Sequence, residues 1–134
     1  MRCCAADQFE RKTSPLDPDM SAAGDRLFRD LARNAEGAVL LCTDLHAGNI
    51  LASEREPWLM IDPKPYIGDP TYDALQHMLN RERLMSDPLR LVERMAGLLD
   101  LDAQRLRLWL FARCVIEAPD WPNLGQVARA LAPE

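Results

Sequence analysis

The sequence predicts an α+β fold that is mostly helical and carries one short β-hairpin in its first half. Apolar runs at 38–42, 50–52 and 58–61 have the length of strands. The polar segment 53–57 between the last two runs ends in a proline, which favours pairing of those strands as a hairpin. After residue 68 the chain twice places an aspartate before a proline, a signal for the start of a helix.

Helices are expected in five segments. Residues 21–33 repeat apolar side chains at helical spacing. A second helix is expected from 69 to about 84, and a third begins at 87. The segment 102–119 is apolar around much of its circumference, which predicts the central buried helix. A last short helix is expected over 123–131.

The chain has 134 residues, a length typical of one compact domain. Its 48% hydrophobic and 28% charged residues are ordinary for a globular protein and do not suggest disorder over the whole chain. Residues 1–19 contain two prolines and scattered charges without periodicity, which predicts a flexible N-terminal lead-in. The compact domain is therefore expected over 20–134.

The four cysteines, Cys3, Cys4, Cys42 and Cys114, do not have the spacing of a zinc site. Adjacent cysteines do not readily bridge one another, so reduced thiols are the simplest interpretation. Charged side chains lie too close to residue 1 for the apolar segment of a signal peptide. No apolar run approaches the length of a membrane span. A cytoplasmic location without a membrane partner is expected.

The net charge of −5 is concentrated in one part of the chain. Residues 44–73 hold six acids and two bases, a balance of −4. A cleft of that sign would attract Mg²⁺ and cationic substrates, and it would repel the phosphates of nucleic acids. An alternative is that Glu54 and Glu56 lie on a solvated turn and that Asp69 caps a helix, so that these acids do not face a cleft.

The most informative motif consists of two polar runs beside the predicted strands. Residues 44–49 read Asp-Leu-His-Ala-Gly-Asn, and residues 61–64 read Ile-Asp-Pro-Lys. The first run joins the strands at 38–42 and 50–52, and the second follows the strand at 58–61. The open end of the hairpin would therefore hold Asp44, Asn49 and Asp62 close together.

This residue set suits phosphoryl transfer. Transfer of a γ-phosphoryl group requires a carboxylate that orients the attacking hydroxyl, a role for Asp44. It also requires oxygen ligands for Mg²⁺, which Asn49 and Asp62 would supply. Two alternatives stay open. One is an ordinary polar turn, and the other is a metal-dependent hydrolase using Asp44, His46 and Asp62, for which the chain has few histidines.

On these motifs, the stretch 39–80 resembles the aminoglycoside phosphotransferases, and most of all their streptomycin 6-kinase and hydroxyurea phosphotransferase branch. The matching segments are 44–51, 58–64 and 68–73. The resemblance implies the C-terminal lobe of a protein-kinase-like fold, with the hairpin carrying the catalytic and metal-binding loop. It also implies ATP and Mg²⁺ as cofactors.

The resemblance assigns a role to each matching polar residue. It implies Asp44 as the catalytic base and Asn49 and Asp62 as magnesium ligands. It further implies Asp73 as a brace that a helix places against the catalytic loop.

The chain departs from the family pattern at three positions. The family commonly has His-Gly before the catalytic aspartate and a proline after the loop histidine, where this chain has Cys42, Thr43 and Ala47. The change at Cys42 puts the support of the loop in question. Because Thr43 is β-branched, we expect its φ to be negative.

Kinases of this fold also have an N-terminal lobe with a phosphate-covering loop and a lysine that reaches the phosphates. The residues before Asp44 contain no glycine-rich loop and one lysine, Lys12, in a segment without strand character. We therefore expect that lobe to be absent, and the missing lobe or a second polypeptide is an expected partner.

Further side chains near the motif have more than one interpretation. Lys64 could contact a phosphate of the cofactor or pair with a nearby carboxylate such as Asp62, and the ion pair is favoured. His46 is expected to bond within its own loop. In the resembled family, acidic residues of the C-terminal helices meet the cationic aminoglycoside, so Glu117 and Asp120 are candidate substrate contacts. Surface charge is the alternative for both.

Four residues with ring side chains also have expected locations. We expect His77 to be a partly exposed helical histidine, and Trp109 and Phe111 to lie in the core. Trp121 differs because it follows the end of a helix and lies near the two candidate substrate acids.

The sequence therefore predicts an ATP-dependent phosphotransferase that acts on a hydroxyl of a small molecule. An aminoglycoside such as streptomycin is the favoured substrate, and a hydroxyurea-type substrate is compatible. The alternative is a catalytically silent lobe that binds a cationic ligand or a partner, because the phosphate-covering lobe is missing.

Overall fold

A computed structural model describes residues 13–134 of the chain. The fold is mostly helical with two small sheets, in agreement with the expected α+β class. The elements in chain order are α1 (Pro18–Arg33), β1 (Val39–Leu41), β2 (Ile50–Ala52), β3 (Trp58–Met60), β4 (Tyr66–Gly68), α2 (Asp73–Met78), α3 (Arg81–Ser86), α4 (Pro88–Leu99), α5 (Ala103–Glu117) and α6 (Leu124–Leu131). Single 3₁₀ turns cover Ala47–Asn49 and Pro70–Tyr72.

Helix α5 is the centre of the core, as its apolar circumference predicts. Its Leu106 and Leu110 side chains are fully buried, and α1, α4 and α6 pack around it. The helix begins where expected, because the carboxylate of Asp102 accepts the N–H of Arg105 at 2.6 Å. Trp109 and Phe111 are buried, which confirms their expected place in the core.

The thiol of Cys114 also lies inside this core. Burial raises its pKa to about 12, and the nearby carboxylate of Glu117 acts in the same direction. The thiol is therefore protonated at neutral pH and behaves as a small apolar side chain. Cys3 and Cys4 lie outside the described residues.

Helices α1 and α5 approach closely at a glycine. A Cβ placed on Gly24 would lie 2.4 Å from Cγ1 of Val115, a distance that real side chains do not adopt. The absence of a side chain at Gly24 thus sets the separation of the two helices.

The start of α1 is fixed by a cap. The carboxylate of Asp17 accepts the N–H of Met20 at 2.9 Å, and Pro18 occupies the first helical position, so α1 begins three residues before the expected position 21. Most of the expected flexible lead-in at 1–19 lies outside the described residues. In its described part Leu16 is buried and lies close to Gly125 of α6.

Two antiparallel pairs form the sheets. Strands β2 and β3 pair with Leu51 opposite Leu59, which confirms the expected hairpin. Strand β1 pairs with β4, with Leu40 opposite Ile67. The second pairing was not expected, because β4 is three residues long and follows two prolines closely.

Both sheets expose large apolar side chains. Leu40 and Tyr66 are each 72% exposed, and Ile67 and Trp58 are each 69% exposed. In the described part of the chain these strands therefore present an uncovered apolar surface, which we call the strand surface.

The helical stretch after β4 is interrupted twice, whereas the sequence predicts one helix from 69 to about 84. It begins as the 3₁₀ turn Pro70–Tyr72, continues as α2 and stops at Leu79. Asn80 then has extended backbone angles and caps α3 by accepting the N–H of Arg83. The capping side chain of Asn80 competes with continuation of the helix, so the expectation of one helix is wrong.

Asp69 joins this stretch to the core. Asp69 is 5% exposed, and its carboxylate accepts hydrogen bonds from Trp109 Nε1 at 2.8 Å, Arg105 Nε at 2.7 Å and the N–H of Thr71 at 2.9 Å. Burial raises the pKa of this carboxyl, but these donors outweigh burial and leave the pKa below its usual range. Arg105 also donates to the carbonyl oxygen of Leu31 at 2.9 Å, so one partly buried ion pair links α1, α5 and the 3₁₀ turn.

No helix between residues 13 and 134 has the length and apolar character that crossing a membrane would need.

Replacing Gly24 by alanine tests the close approach of α1 and α5. The added methyl group would overlap Val115, so we expect G24A to lower the free energy of unfolding by about 1–3 kcal/mol despite the better helix propensity of alanine. Urea unfolding followed by circular dichroism measures the change. Gly97 in α4 is the matched control, since nothing lies within 4 Å of its added Cβ, and G97A is expected to stabilise by up to about 1 kcal/mol. Equal effects of the two variants would contradict this packing.

Candidate active site

The loop after β1 makes a tight turn at Thr43. The N–H of Asp44 donates to the carbonyl oxygen of Cys42 at 2.7 Å, and the φ of Thr43 is +54°. This is a γ-turn, a strained conformation for a β-branched residue. The expected negative φ of Thr43 is therefore wrong, because hydrogen bonds from outside the loop override the local preference.

Asp73 supplies two of those hydrogen bonds. Its carboxylate, at the start of α2, accepts the N–H of Cys42 and the N–H of Thr43, each at 2.9 Å. The thiol of Cys42 faces the same carboxylate, and burial together with the charge of Asp73 raises the pKa of Cys42. These are the contacts that a brace on the loop would make.

The segment after β3 closes over the loop from the other side. The hydroxyl of Thr43 donates to the carbonyl oxygen of Lys64 at 2.6 Å, and the N–H of Lys64 donates to the carbonyl oxygen of Cys42 at 3.0 Å. The N–H of Ile61 donates to the carbonyl oxygen of Asn49 at 2.8 Å, next to Asp62. The two motif runs are thus bonded to one another along their backbones.

Lys64 forms an ion pair with a nearby carboxylate, the interpretation that the sequence favours, and its partner is Asp44. Lys64 Nζ lies 2.7 Å from Asp44 Oδ2. The hydrogen bond from Lys64 is the main cause that lowers the pKa of Asp44, and the same bond raises the pKa of Lys64. The charge of Asp62 also raises the pKa of Lys64, so this carboxylate lies nearby.

The ring of His46 bonds within its own loop, as expected. Its Nδ1 accepts the N–H of Gly48 at 3.1 Å, which closes the 3₁₀ turn, and its Nε2 lies 3.6 Å from Asp44 Oδ1. A Cβ on Gly48 would lie 2.9 Å from the His46 ring, so a larger residue there would require the ring to shift.

Asn49 points towards Asp44. Its Nδ2 donates to the carbonyl oxygen of Asp44 at 2.9 Å and lies 3.4 Å from Asp44 Oδ2. The amide nitrogen is engaged, which leaves the amide oxygen as the group that can accept or ligate. Asp62 is exposed and has a φ of +51°, a conformation that aspartate tolerates better than most residues.

The oxygen atoms of Asn49 and Asp62 are ligands suited to a hard cation. Among residues 13–134, no three histidine, cysteine or acidic side chains form a cluster that would hold a metal ion. An Asn49 amide oxygen and an Asp62 carboxylate would instead give two hard ligands, and Mg²⁺ takes its remaining ligands from water and phosphate oxygens.

A groove of about 460 Å³ runs beside the loop. We call it the loop groove, and the side chains that matter for its chemistry are His46, Gln76, His77, Asn80, Arg83 and Trp121. His77 is half-buried on α2, as expected.

The two acidic candidates for substrate contact lie elsewhere. Glu117 pairs with Arg113 at 2.6 Å on α5. Asp120 lines a smaller cavity of about 150 Å³, together with Arg81 and Trp121. Trp121 and Leu79 line both this smaller cavity and the loop groove.

Arg113 is a residue that the sequence reasoning missed. It donates to the hydroxyl of Tyr72 and to Oε1 of Gln76, both at 3.1 Å, in addition to its bond with Glu117. Tyr72 and Gln76 flank Asp73 on both sides, so Arg113 fixes the helix that carries the loop's acceptor. The one signal in the sequence is the spacing of Arg113 and Glu117 by four residues on a helix.

The sequence of the chain matches one known protein family. Residues 6–125 match the sequence model of the family described as aminoglycoside/hydroxyurea antibiotic resistance kinase. The match covers most of the chain, so the chain belongs to this family.

Curated relatives carry names from the same family. The chain is 44% identical over 120 residues to a hydroxyurea phosphotransferase of Kitasatospora aureofaciens, which covers 81% of the chain and 34% of the relative. It is 44% identical over 84 residues to a streptomycin 6-kinase of Streptomyces griseus, covering 58% of the chain and 27% of the relative. A streptomycin 6-kinase of Streptomyces glaucescens is 40% identical over 89 residues, covering 61% of the chain and 29% of that protein.

The chain therefore spans about a third of the length of these curated relatives. No solved structure matches it significantly.

Replacing Asp73 by asparagine tests its hold on the loop. The amide keeps one acceptor but turns an N–H₂ group towards the second loop N–H, so we expect D73N to cost roughly 1–3 kcal/mol of stability. Hydrogen exchange followed by NMR should show faster exchange of the Cys42 and Thr43 amides. D25N, an exposed change on α1, is the matched control. Unchanged exchange of both amides would contradict the role.

Replacing Lys64 by methionine tests the ion pair at Asp44. The ammonium group holds the Asp44 carboxyl in its ionised form, so we expect the pKa of Asp44 to rise towards its ordinary value in K64M. Added salt should raise it in the native protein as well, because the pair is exposed. A ¹³C NMR titration of the Asp44 carboxyl measures both effects, with R55M as control. An Asp44 titration unchanged in K64M would disprove the pairing.

Proposed function

We propose that this chain carries the catalytic and magnesium-binding loop of an ATP-dependent phosphotransferase that acts on a hydroxyl of a small molecule. The observation that supports it most is the bonding of the two motif runs, which brings Asp44, Asn49 and Asp62 to one end of the hairpin. Among substrates, we propose an aminoglycoside such as streptomycin or a hydroxyurea-type compound, following the names of the relatives.

The chemistry assigned to Asp44 is that of a positioned base. Its carboxylate accepts a hydrogen bond from the acceptor hydroxyl and takes the proton as the hydroxyl oxygen bonds to the γ-phosphorus. The bond from that phosphorus to the bridging oxygen breaks, and ADP leaves with the electron pair. Because its pKa lies below the usual range, Asp44 is ionised at neutral pH.

The remaining residues bind and orient. Asn49 and Asp62 would hold Mg²⁺, which when bound offsets the charge of the transferring phosphoryl group. Lys64 is placed to exchange its contact with Asp44 for a phosphate oxygen, the role that the sequence left open for it. Asp73 and Arg113 act as positioning residues that keep the loop in place.

A second candidate function is binding without catalysis. The strand surface supports it, since Leu40, Trp58, Tyr66 and Ile67 are mostly exposed and a partner would cover them. The partner we propose is an N-terminal kinase lobe or a second polypeptide. Calorimetric titration with Mg-ATP separates the two candidates, because absence of binding at millimolar nucleotide favours the second.

Replacing Asp44 by asparagine tests the catalytic assignment. With the base removed, we expect kcat to fall by about 10²-fold to 10⁴-fold, while the dissociation constant for Mg-ATP changes little. Coupled detection of ADP with streptomycin and with hydroxyurea as acceptors measures turnover. E54Q, an acid-to-amide change on the exposed β2–β3 turn, should retain full activity. A loss of less than about tenfold in D44N would reject the role.

A further inference from the structure

We propose that the loop groove is the acceptor site of the phosphotransferase and that it selects an uncharged acceptor rich in carbonyl or hydroxyl oxygens over a polycation. This inference rests on the proposed function and specifies its substrate class. The charge count of the sequence supports a cationic substrate, and the present inference differs from that expectation.

The loop groove adjoins the reacting carboxylate. His46 lines it, and Nε2 of the same ring lies 3.6 Å from Asp44 Oδ1. The groove and the Asp44 carboxylate therefore share His46 as a neighbour, which places an acceptor in the groove next to the proposed base. Asp120 lines the smaller cavity and not the loop groove.

The acids that suggested a negative cleft do not face the groove. Asp69 is buried against Arg105, and Asp73 is occupied by two backbone N–H groups. Glu54 and Glu56 are exposed on the β2–β3 turn, as the alternative interpretation holds.

Asp44 itself is neutralised by Lys64 at 2.7 Å. Within the described chain, the side chains lining the groove include the cationic Arg83 and no carboxylate. A polycation would meet repulsion there without a compensating charge.

The hydrogen-bonding groups of the groove point to the same class of acceptor. Oε1 of Gln76 is occupied by Arg113, which leaves the side-chain N–H₂ of Gln76 to donate. Oδ1 of Asn80 accepts the N–H of Arg83, so Asn80 likewise offers its N–H₂ group. The side chains of Gln76, Asn80 and Arg83 therefore all present hydrogen-bond donors to the groove. Donors complement carbonyl and hydroxyl oxygens, whereas ammonium and guanidinium groups would place donors against donors.

Trp121 supplies a flat wall. Its ring is 40% exposed, and its backbone is held by a hydrogen bond to Glu117 and one from Leu124. Arg81, whose guanidinium carbon lies 5.7 Å from the ring centre, lines the smaller cavity. The side of the ring towards the groove can then stack on a planar uncharged group.

The test uses the chain as it is, without nucleotide, with hydroxyurea as the uncharged probe and streptomycin as the cationic probe. In a ¹H–¹⁵N NMR titration at millimolar probe, we expect hydroxyurea to shift the Gly48 amide and the side-chain amides of Gln76 and Asn80. W121A should weaken this binding about fivefold, in line with the loss of one stacking contact. Streptomycin should leave these signals unmoved.

Charge reversal at Arg83 gives the sharpest discrimination. In R83E we expect streptomycin to bind in the groove at least about tenfold more tightly than in the native chain. R90E, an equal charge change on the exposed side of α4, is the matched control and should not do so. Tighter binding of streptomycin than of hydroxyurea to the native groove would overturn the proposal. Binding of neither probe there would overturn it too.

A separate titration with Mg-ATP keeps this inference distinct from the proposed function. Hydroxyurea binding in the groove without any nucleotide binding would sustain the groove's selectivity and reject the phosphotransferase. Nucleotide binding together with tighter binding of streptomycin than of hydroxyurea in the groove would support the phosphotransferase and reject the groove's selectivity.

Discussion

The carboxylate of Asp73 is the contact on which the candidate site depends. It accepts the N–H groups of Cys42 and Thr43 and so holds a γ-turn that the residue at its centre disfavours. Without this acceptor, two half-buried N–H groups would lose their partner and the loop could relax to an ordinary backbone conformation. Arg113 bonds on either side of Asp73, at Tyr72 and Gln76, and in this way the helical core determines the geometry of the loop.

The sequence predicts those features that depend on local chemistry. The hairpin β2–β3 follows from two apolar runs around a polar turn, and the positions of Asp44, Asn49 and Asp62 follow from the hairpin. The capping aspartates at 17, 69, 87 and 102 are equally local, although the apolar spacing alone places the start of α1 at 21.

Features set by distant partners could not be predicted in the same way. The φ of Thr43 is governed by an acceptor thirty residues away, so its β-branched side chain misleads. The pairing of Lys64 with Asp44 rather than with Asp62 depends on how the 61–64 run folds back over the loop. Strand β4 has too few residues to give a pattern, and only its pairing with β1 defines it.

Electrostatics shows the same limit of local reasoning. A count of charges over 44–73 gives −4, but most of these acids are bound to a base or to backbone N–H groups, or lie on an exposed turn. Within the described chain, the side chains that line the loop groove include the cation Arg83 and no carboxylate, and these side chains contribute most to the potential there. The net charge of 44–73 therefore does not predict the electrostatic potential at the loop groove, because that potential depends on which charged side chains are paired and which line the groove.

The most direct test of the central claim is paramagnetic NMR with Mn²⁺ and a non-hydrolysable ATP analogue. If Asn49 and Asp62 jointly hold the metal of a bound nucleotide, the amide signals of these two residues broaden most, and N49A removes the effect. Broadening centred on the exposed Glu54–Glu56 turn, or no broadening at Asn49 and Asp62, would contradict the account.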